Sequence, residues 1–219
     1  MLLDNKLHLC PAGKDKPLGR VLDAGTGTAV WAVDFADEHP DVQVVGIDLS
    51  PTQPSTVPPN VEFFVEDLES SWTFHTKFDF IYMRMLLGSI KDWPKLFSQA
   101  YDNLHPGGWV ELMESIQPIA CDDGTLPKDS ALLKWTHLTL EATRKLGAPM
   151  DSALYHKKRL IDAGFVNVVQ RDFKWPTNPW PRDPKHKEKG KQAIIEIRRK
   201  SRCLYNSIER VSQPWADDC

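Results

Sequence analysis

The stretch RVLDAGTGTAVWAVDFADEHPDVQVVGIDLS, residues 20–50, contains the pattern that decides the fold. An apolar run leads into a glycine-containing turn, an amphipathic segment follows, and a valine-rich run ends at Asp48. We predict a strand over Arg20–Ala24, a helix from Ala29 to Glu38 and a strand over Gln43–Ile47. This order predicts a βαβ unit, in which a nucleoside ligand binds at the turn between strand and helix.

The rest of the chain continues the alternation of strands with helices or crossovers. We predict further strands at residues 61–65, 78–83, 109–114 and near 166–173, with HPGG at 105–108 breaking the chain before residue 109. Further helices are predicted at 92–104, 128–147, 150–163 and 192–211. The pattern indicates an α/β fold with a mostly parallel sheet and helices on both faces.

The turn departs from the dinucleotide fingerprint. Gly25 and Gly27 match the first two glycines of G-x-G-x-x-G, but Val30 stands at the third position. Asp23 lies two residues before Gly25, where its carboxylate would repel a pyrophosphate. These residues disfavour a nicotinamide-dependent oxidoreductase, and the lack of a following GKS or GKT excludes a P-loop. A carboxylate here favours a ligand that carries positive charge.

Two more acids follow at successive strand ends. Asp48 closes the second strand, where a carboxylate accepts hydrogen bonds from both ribose hydroxyls in such units. Asp67 ends the third strand region, where an acid can accept a hydrogen bond from the adenine amine. The ordered set of Asp23, Asp48 and Asp67 describes S-adenosylmethionine (SAM) as the ligand, and the chain here resembles the class I SAM-dependent methyltransferases.

A more specific resemblance covers residues 6–191. The segments VLDAGTGTAVWAVDFADEHP, VVGIDLSPTQPSTVPPN, DDGTLPKDSALLKW and NPWPRDPKHKEKG are similar to the fungal LaeA-like methyltransferases, which are associated with secondary metabolism. The expected cofactor-binding residues, implied by this resemblance and by the ends of the strands, are Asp23, Gly25, Thr26, Gly27, Thr28, Asp48, Leu49, Ser50, Glu66, Asp67, Leu68, Met83 and Arg84. Members of the family usually carry glycine where Ala29 stands, and alanine is tolerable there if its φ is negative.

The resemblance also sets expectations for the domain. It implies a Rossmann-like class I sheet, a methyltransferase domain over residues 1–191 with a helical insertion at about 125–163, and a divergent basic, helical tail over 192–219. The usual N-terminal cap and the final antiparallel strand find no match, so we expect both to be missing. The alternative to a methyltransferase is therefore a truncated, catalytically weak or inactive module that binds regulatory partners.

Three residues are candidates for catalysis. Arg84, after the fourth strand, could orient an acidic group, or it could form a salt bridge. Glu114, at the carboxyl end of the fifth strand, could act as a base, although structural hydrogen bonding is the more ordinary role. His137 lies in a predicted amphipathic helix, where packing or surface exposure is more common than catalysis.

Composition excludes several classes. The four cysteines form no CxxC pair and no histidines occur at metal spacing, so neither a zinc site nor a disulfide framework is expected. No apolar run is long enough to cross a membrane, and a cytoplasmic or nuclear protein is expected. Residues 182–202 carry nine basic against three acidic side chains, which we interpret as a solvated helix face rather than a nucleic-acid site. The expected partner is a small-molecule or protein methyl acceptor.

Overall fold

The computed structural model describes residues 6–121, 124–193 and 195. The chain divides into two compact units, Leu7–Gln170 and a second made of Met1–Lys6 with Arg171–Cys219. The first unit contains all the elements named below. In the second, residues 184–193 are helical, while most of the predicted 192–211 helix, together with Cys203 and Cys219, lies outside the described residues.

The first unit is built around five parallel strands. They are β1 (Arg20–Ala24), β2 (Gln43–Asp48), β3 (Val61–Val65), β4 (Phe78–Arg84) and β5 (Leu104–Met113). The helices are α1 (Val30–Glu38), α2 (Trp93–Asp102), α3 (Ala131–Lys145) and α4 (His156–Asp162), with a 3₁₀ turn at Ser152–Tyr155 before α4. The strand order is β3-β2-β1-β4-β5, so the order reverses between β1 and β4. In open parallel sheets ligands bind outside the carboxyl ends of the strands at this reversal.

Alternating residues of the strands build two separate apolar layers. On one face Val21, Phe80 and Tyr82 pack with Trp31 and Phe35 of α1. On the other face, the alternate residues of the same strands pack against α2 and α4. The strand residues of this layer include Leu22, Ala24, Ile81 and Met83, and the helix residues include Trp93, Leu96, Phe97 and Leu160. Burial on both faces explains why the strands read as continuous apolar runs. The predicted α/β class, with helices on both faces of a parallel sheet, is confirmed.

Two of the helices, α2 and α3, begin at side-chain caps. Asp92 precedes α2, and its side chain accepts a hydrogen bond from the backbone N–H of Lys95, with Pro94 in the first turn. Ser130 caps α3 in the same way through the N–H of Leu133. The predicted helix at 128–147 is present as α3 with shorter bounds, because the Ser130 cap sets where it begins. The predicted helix at 150–163 is present as the 3₁₀ turn and α4, neither of which has a side-chain cap.

Two predictions near the end of the sheet are wrong. The HPGG segment does not break the chain before β5, because β5 begins at Leu104 and absorbs the segment as an irregularity in its pairing with β4 between Phe78 and Phe80. Residues 166–173 form no strand. Asn167 there has φ 55°, which no strand accommodates, and Val166 and Val169 are 81% and 75% exposed.

None of the helices in the described part of the chain combines the length and the apolar character that crossing a bilayer requires.

Candidate functional site

The turn after β1 is held by hydrogen bonds within the chain. The backbone N–H groups of Gly25 and Thr26 both donate to the carbonyl oxygen of Ile47, at 2.8 and 3.0 Å. The N–H of Gly27 donates to Oδ2 of Asp48 at 2.8 Å. Since these three donors are already used, the front of the turn offers no cradle for a pyrophosphate. The geometry of the turn therefore disfavours a dinucleotide ligand, as Asp23 and Val30 do in the sequence.

Gly25 is required where it stands. Its φ of 79° favours glycine, and a Cβ added to it would lie 2.3 Å from Cδ2 of Leu86. Gly27 also has a positive φ, 55°, but a Cβ there would meet nothing within 4 Å, so this side of the turn is open. The turn is therefore packed against the Leu86 side chain at Gly25, whereas the space beside Gly27 is open to a ligand.

Ala29 adopts the left-handed conformation, so the condition under which the sequence made alanine tolerable there, a negative φ, is not met. Its φ is 63°, it precedes the first residue of α1, and its side chain is fully buried. The helix α1 begins at Val30, one residue after the predicted start, with Ala29 as the residue before its first turn. The Ala29 N–H donates to the carbonyl oxygen of Thr26 at 2.9 Å, and the carbonyl oxygen of Ala29 accepts from the N–H of Val33 at 3.0 Å, so Ala29 joins the turn to the first turn of α1.

Asp23 is a buried carboxylate at the base of the site. It is 3% exposed, and the hydroxyl of Thr26 donates a hydrogen bond to its Oδ2 at 2.7 Å. Burial raises the pKa of Asp23 to about 6, partly offset by that hydrogen bond and by the positive charge of Arg84. No described residue forms an ion pair with Asp23. A cationic group of a ligand would therefore supply the positive counter-charge that the buried carboxylate lacks.

Asp48 is oriented by two backbone donors. Its Oδ2 accepts from Gly27, and its Oδ1 accepts from the N–H of Ser50 at 2.9 Å. Each oxygen keeps a further lone pair that can accept a hydroxyl proton. Leu49 follows directly and is 66% exposed, and Val65, paired in register with Asp48, is 58% exposed. A polar acceptor flanked by uncovered apolar surface is what a nucleoside requires.

Two residues that support the turn were missed by the sequence analysis. The hydroxyl of Thr52 and the side-chain amide of Gln53 both donate to the carbonyl oxygen of Gly27, at 2.9 and 2.8 Å. They belong to the proline-rich segment after β2, which the sequence analysis treated only as a loop. The available signal was the pair of polar side chains between Pro51 and Pro54, since such residues often hydrogen-bond to nearby backbone.

The remaining predicted cofactor residues fall into two groups. Thr28, Ser50, Glu66, Asp67 and Arg84 are exposed at or next to the carboxyl ends of the strands. Met83 and Leu68 are buried in the core, at 0% and 6% exposure. Their side chains pack beneath the site, so they support it from within the apolar layer.

The three catalytic candidates are placed differently. The carboxylate of Glu114 accepts from the N–H groups of Leu86 and Leu87, at 2.8 and 3.1 Å, and burial raises the pKa of Glu114 to about 7. Arg84 is exposed at the end of β4 and forms no ion pair within the described residues. His137 is exposed on α3, and in the described part of the chain no hydrogen bond or ring contact connects it to the turn.

Comparisons with known proteins find methyltransferases. The model of a family described as a methyltransferase domain matches residues 2–170. Methyltransferase pytC of Aspergillus terreus is 44% identical over 191 residues, which are 86% of this chain and 58% of that protein. The secondary metabolism regulator laeA of Aspergillus fumigatus is 34% identical over 211 residues, which are 91% of this chain and 56% of that protein. The chain thus spans less than two thirds of the length of these relatives.

A solved structure shares the fold. Phosphoethanolamine N-methyltransferase 2 of Haemonchus contortus, in complex with S-adenosylmethionine, superposes with a TM-score of 0.57 at 24% identity. The match covers 89% of this chain and 42% of that one. At this identity the likeness concerns the architecture, which is the Rossmann-like class I sheet that the sequence predicted.

Proposed function

The chain belongs to the methyltransferase-domain family and resembles its LaeA-like members, and from this premise we propose that it binds SAM and transfers a methyl group to a small metabolite or a protein. The acceptor belongs to secondary metabolism, as the resemblance implies. The observation that carries the proposal is the combination of a buried Asp23, with which no described residue forms an ion pair, and a turn in which the N–H groups of Gly25, Thr26 and Gly27 are already bonded. Such a turn suits a cationic nucleoside rather than an anionic one.

The described residues fit this cofactor in distinct ways. Asp48 accepts the ribose hydroxyls, because its oxygens are already oriented by backbone donors and retain lone pairs. Leu49 and Val65, both exposed beside Asp48, would offer apolar surface to the adenine, and Asp67 would accept a hydrogen bond from its amine. The open side of Gly27 lets the ligand approach the backbone. Asp23 faces the positive charge of the ligand.

The chemistry asks little of the protein beyond positioning. When bound, SAM supplies an activated methyl carbon for an in-line displacement. The chain must orient the acceptor and exclude water around it. Of the three candidates, Glu114 is the one whose pKa burial raises to about 7, so it changes its protonation state near neutrality. Its carboxylate also accepts hydrogen bonds from the N–H groups of Leu86 and Leu87, so it equally supports the segment after β4. Arg84 provides the nearby positive charge.

A cofactor titration tests the proposal. We expect S-adenosylhomocysteine to bind in calorimetry, and Asp48→Asn to weaken binding by at least about 10-fold, because the amide loses the charge that strengthens the ribose hydrogen bonds. Asp41→Asn is the matched control, since Asp41 is exposed just before the opposite end of β2, and its affinity should equal that of the wild type.

The outcomes separate the alternatives. No heat and no thermal shift at millimolar cofactor would overturn the proposal, and binding of NAD⁺ instead would restore the oxidoreductase reading. If the cofactor binds, labelled methyl groups should pass to a component of a fungal extract, and Asp67→Ala should reduce the transfer. Binding without any transfer would favour the inactive partner-binding module.

A further inference from the structure

Three side chains with metal-binding atoms meet where the N-terminal segment crosses β5. His8, Cys10 and Glu111 each offer one ligand atom, and these atoms all lie within 4.8 Å of one another. Cys10 and Glu111 are 101 residues apart in sequence, so only the fold brings them together. The cluster lies on the α1 face of the sheet, since Glu111 pairs in register with Tyr82 and the ring of His8 contacts Phe80.

The spacing of the cluster suits a tetrahedral ion. Sγ of Cys10 lies 3.7 Å from Nδ1 of His8. Without an ion this nitrogen donates a hydrogen bond to the carbonyl oxygen of Cys10 at 2.9 Å, so zinc binding there requires the ring proton to move to Nε2. Zinc bonds to sulfur at about 2.3 Å and to imidazole nitrogen at about 2.0–2.1 Å, so two such ligands of a tetrahedral ion are separated by about 3.6 Å. A thiolate, an imidazole and a carboxylate are also the donor types that zinc accepts, whereas magnesium and calcium prefer oxygen alone.

The carboxylate is fixed in place but not saturated. Oε2 of Glu111 accepts from the N–H groups of Leu9 and Cys10, at 2.8 and 2.6 Å, while Oε1 makes only a longer contact of 3.1 Å with Leu9. Because a carboxylate has about four acceptor positions, Oε1 can still bind a metal ion. All three residues are half-buried, which leaves a path for the ion and for a solvent ligand.

We propose that His8, Cys10 and Glu111 bind a zinc ion, with water as the fourth ligand. On binding, Zn–S, Zn–N and Zn–O bonds replace waters on the ion. The thiol S–H bond of Cys10 breaks and its proton passes to solvent, while the ring proton of His8 moves from Nδ1 to Nε2 by exchange with solvent; no oxidant or reductant takes part. The ion ties the Leu7–Cys10 segment to β5 and closes a loop of about 100 residues, so its role is structural. Glu111 lies two strands from Asp23, and the proposal does not depend on methyl transfer.

A competing account needs no ion. In it the thiol of Cys10 simply hydrogen-bonds to Glu111, and burial together with that carboxylate raises the pKa of Cys10 to about 12. A bound zinc ion would deprotonate the thiol outright. The two accounts therefore differ in a spectroscopic property, the presence of a metal–thiolate bond.

Cobalt and zinc titrations distinguish them. In the full chain without SAM, one equivalent of Co²⁺ should produce thiolate-to-metal charge-transfer absorption, which one equivalent of Zn²⁺ should displace. Cys10→Ala should abolish the absorption and weaken zinc affinity by more than about 10-fold, the low end of what even outer-shell partners contribute. Zinc should raise the thermal midpoint of the wild type and leave that of Cys10→Ala unchanged.

Matched variants complete the test. Cys121→Ala, at the exposed cysteine of the described chain, and the double variant Cys203→Ala/Cys219→Ala should both keep the absorption. Glu111→Gln should keep the fold, since its amide oxygen still accepts a backbone N–H, but lose zinc affinity. The proposal is overturned if Cys10→Ala binds zinc as the wild type does, if the tail cysteines carry the absorption, or if micromolar zinc does not bind.

Discussion

At the scale of single residues, two positions beside the site, Ala29 and Met85, have a strained backbone. Ala29 is an L-residue with φ 63° at the N-terminal end of α1, and Met85, just after β4, has φ 54°. Alanine in the left-handed region costs about 1–2 kcal/mol, and non-glycine residues are held there only when the surroundings demand it. Both positions lie beside the carboxyl ends of the central strands, where the site is. The fold thus tolerates strain next to the site.

Replacing Ala29 by glycine tests that strain. Relief of the left-handed conformation should offset the lost methyl burial, about 0.8 kcal/mol, and the added flexibility of the unfolded chain. We expect the free energy of unfolding of Ala29→Gly to stay within about 0.5 kcal/mol of the wild type in urea denaturation.

Ala32→Gly is its matched control. Ala32 is also fully buried but lies inside α1, so the same change should lower the free energy of unfolding by about 1.5 kcal/mol. Equal losses in the two variants would mean that the conformation of Ala29 is not strained.

At the scale of elements, α4 is packed onto α2 through a buried histidine. His156 is 6% exposed, and the centre of its ring lies 4.1 Å from that of Trp93 and 5.3 Å from that of Phe97. Among the residues that the structure describes, neither of its nitrogens has a hydrogen-bond partner. Burial, with the charge of Arg159, lowers the pKa of His156 to about 4. The contact therefore requires a neutral ring, and no hydrogen bond in the described part of the chain offsets the burial of its two nitrogens.

Removing that ring should stabilise the protein. His156→Leu conserves volume and leaves no unsatisfied nitrogen, so we expect its free energy of unfolding to rise by about 1–3 kcal/mol at pH 7.5. Between pH 6.5 and 4 the unfolded wild type takes up a proton that the folded state refuses, so wild-type stability falls there and the advantage of His156→Leu should widen.

The control for this pH dependence is an exposed histidine of α3. His137→Gln changes an exposed side chain and should follow the wild type at each pH. A constant difference between wild type and His156→Leu from pH 7.5 to 4 would contradict the burial argument.

At the scale of the whole molecule, stability should be graded across the sheet. β1 has a strand on each side and its residues Val21, Leu22 and Ala24 are fully buried, whereas β3 is an edge strand with Phe64 and Val65 exposed. Amides in a central strand exchange through global unfolding, while edge amides exchange through local opening.

Hydrogen exchange measures this gradient. Amides of β1 should exchange most slowly, and those of β3 faster. If the cofactor binds as proposed, S-adenosylhomocysteine at 100 times its Kd adds about 2.7 kcal/mol to global stability, so exchange in β1 should slow about 100-fold. Uniform protection of β1 and β3 would contradict the graded sheet.

Local patterns in the sequence predicted most of the sheet and the order of the acids along it. β1 and β3 occur at the predicted bounds, and β2 and β4 extend one residue further. Asp23 and Asp48 lie together at the carboxyl ends of neighbouring strands. This succeeded because a strand buried on both faces and the glycine turn that follows it are encoded by adjacent residues.

The sequence by itself therefore determined the fold class, the strand-turn-helix unit and the identity of its acids. Only the tertiary structure decided that Ala29 is left-handed, that β5 runs through HPGG, that residues 166–173 form no strand, and that Cys10 meets Glu111. The physical reason is range: periodicity and turn chemistry act over a few residues, whereas these four features depend on hydrogen bonds and packing between segments that folding brings together.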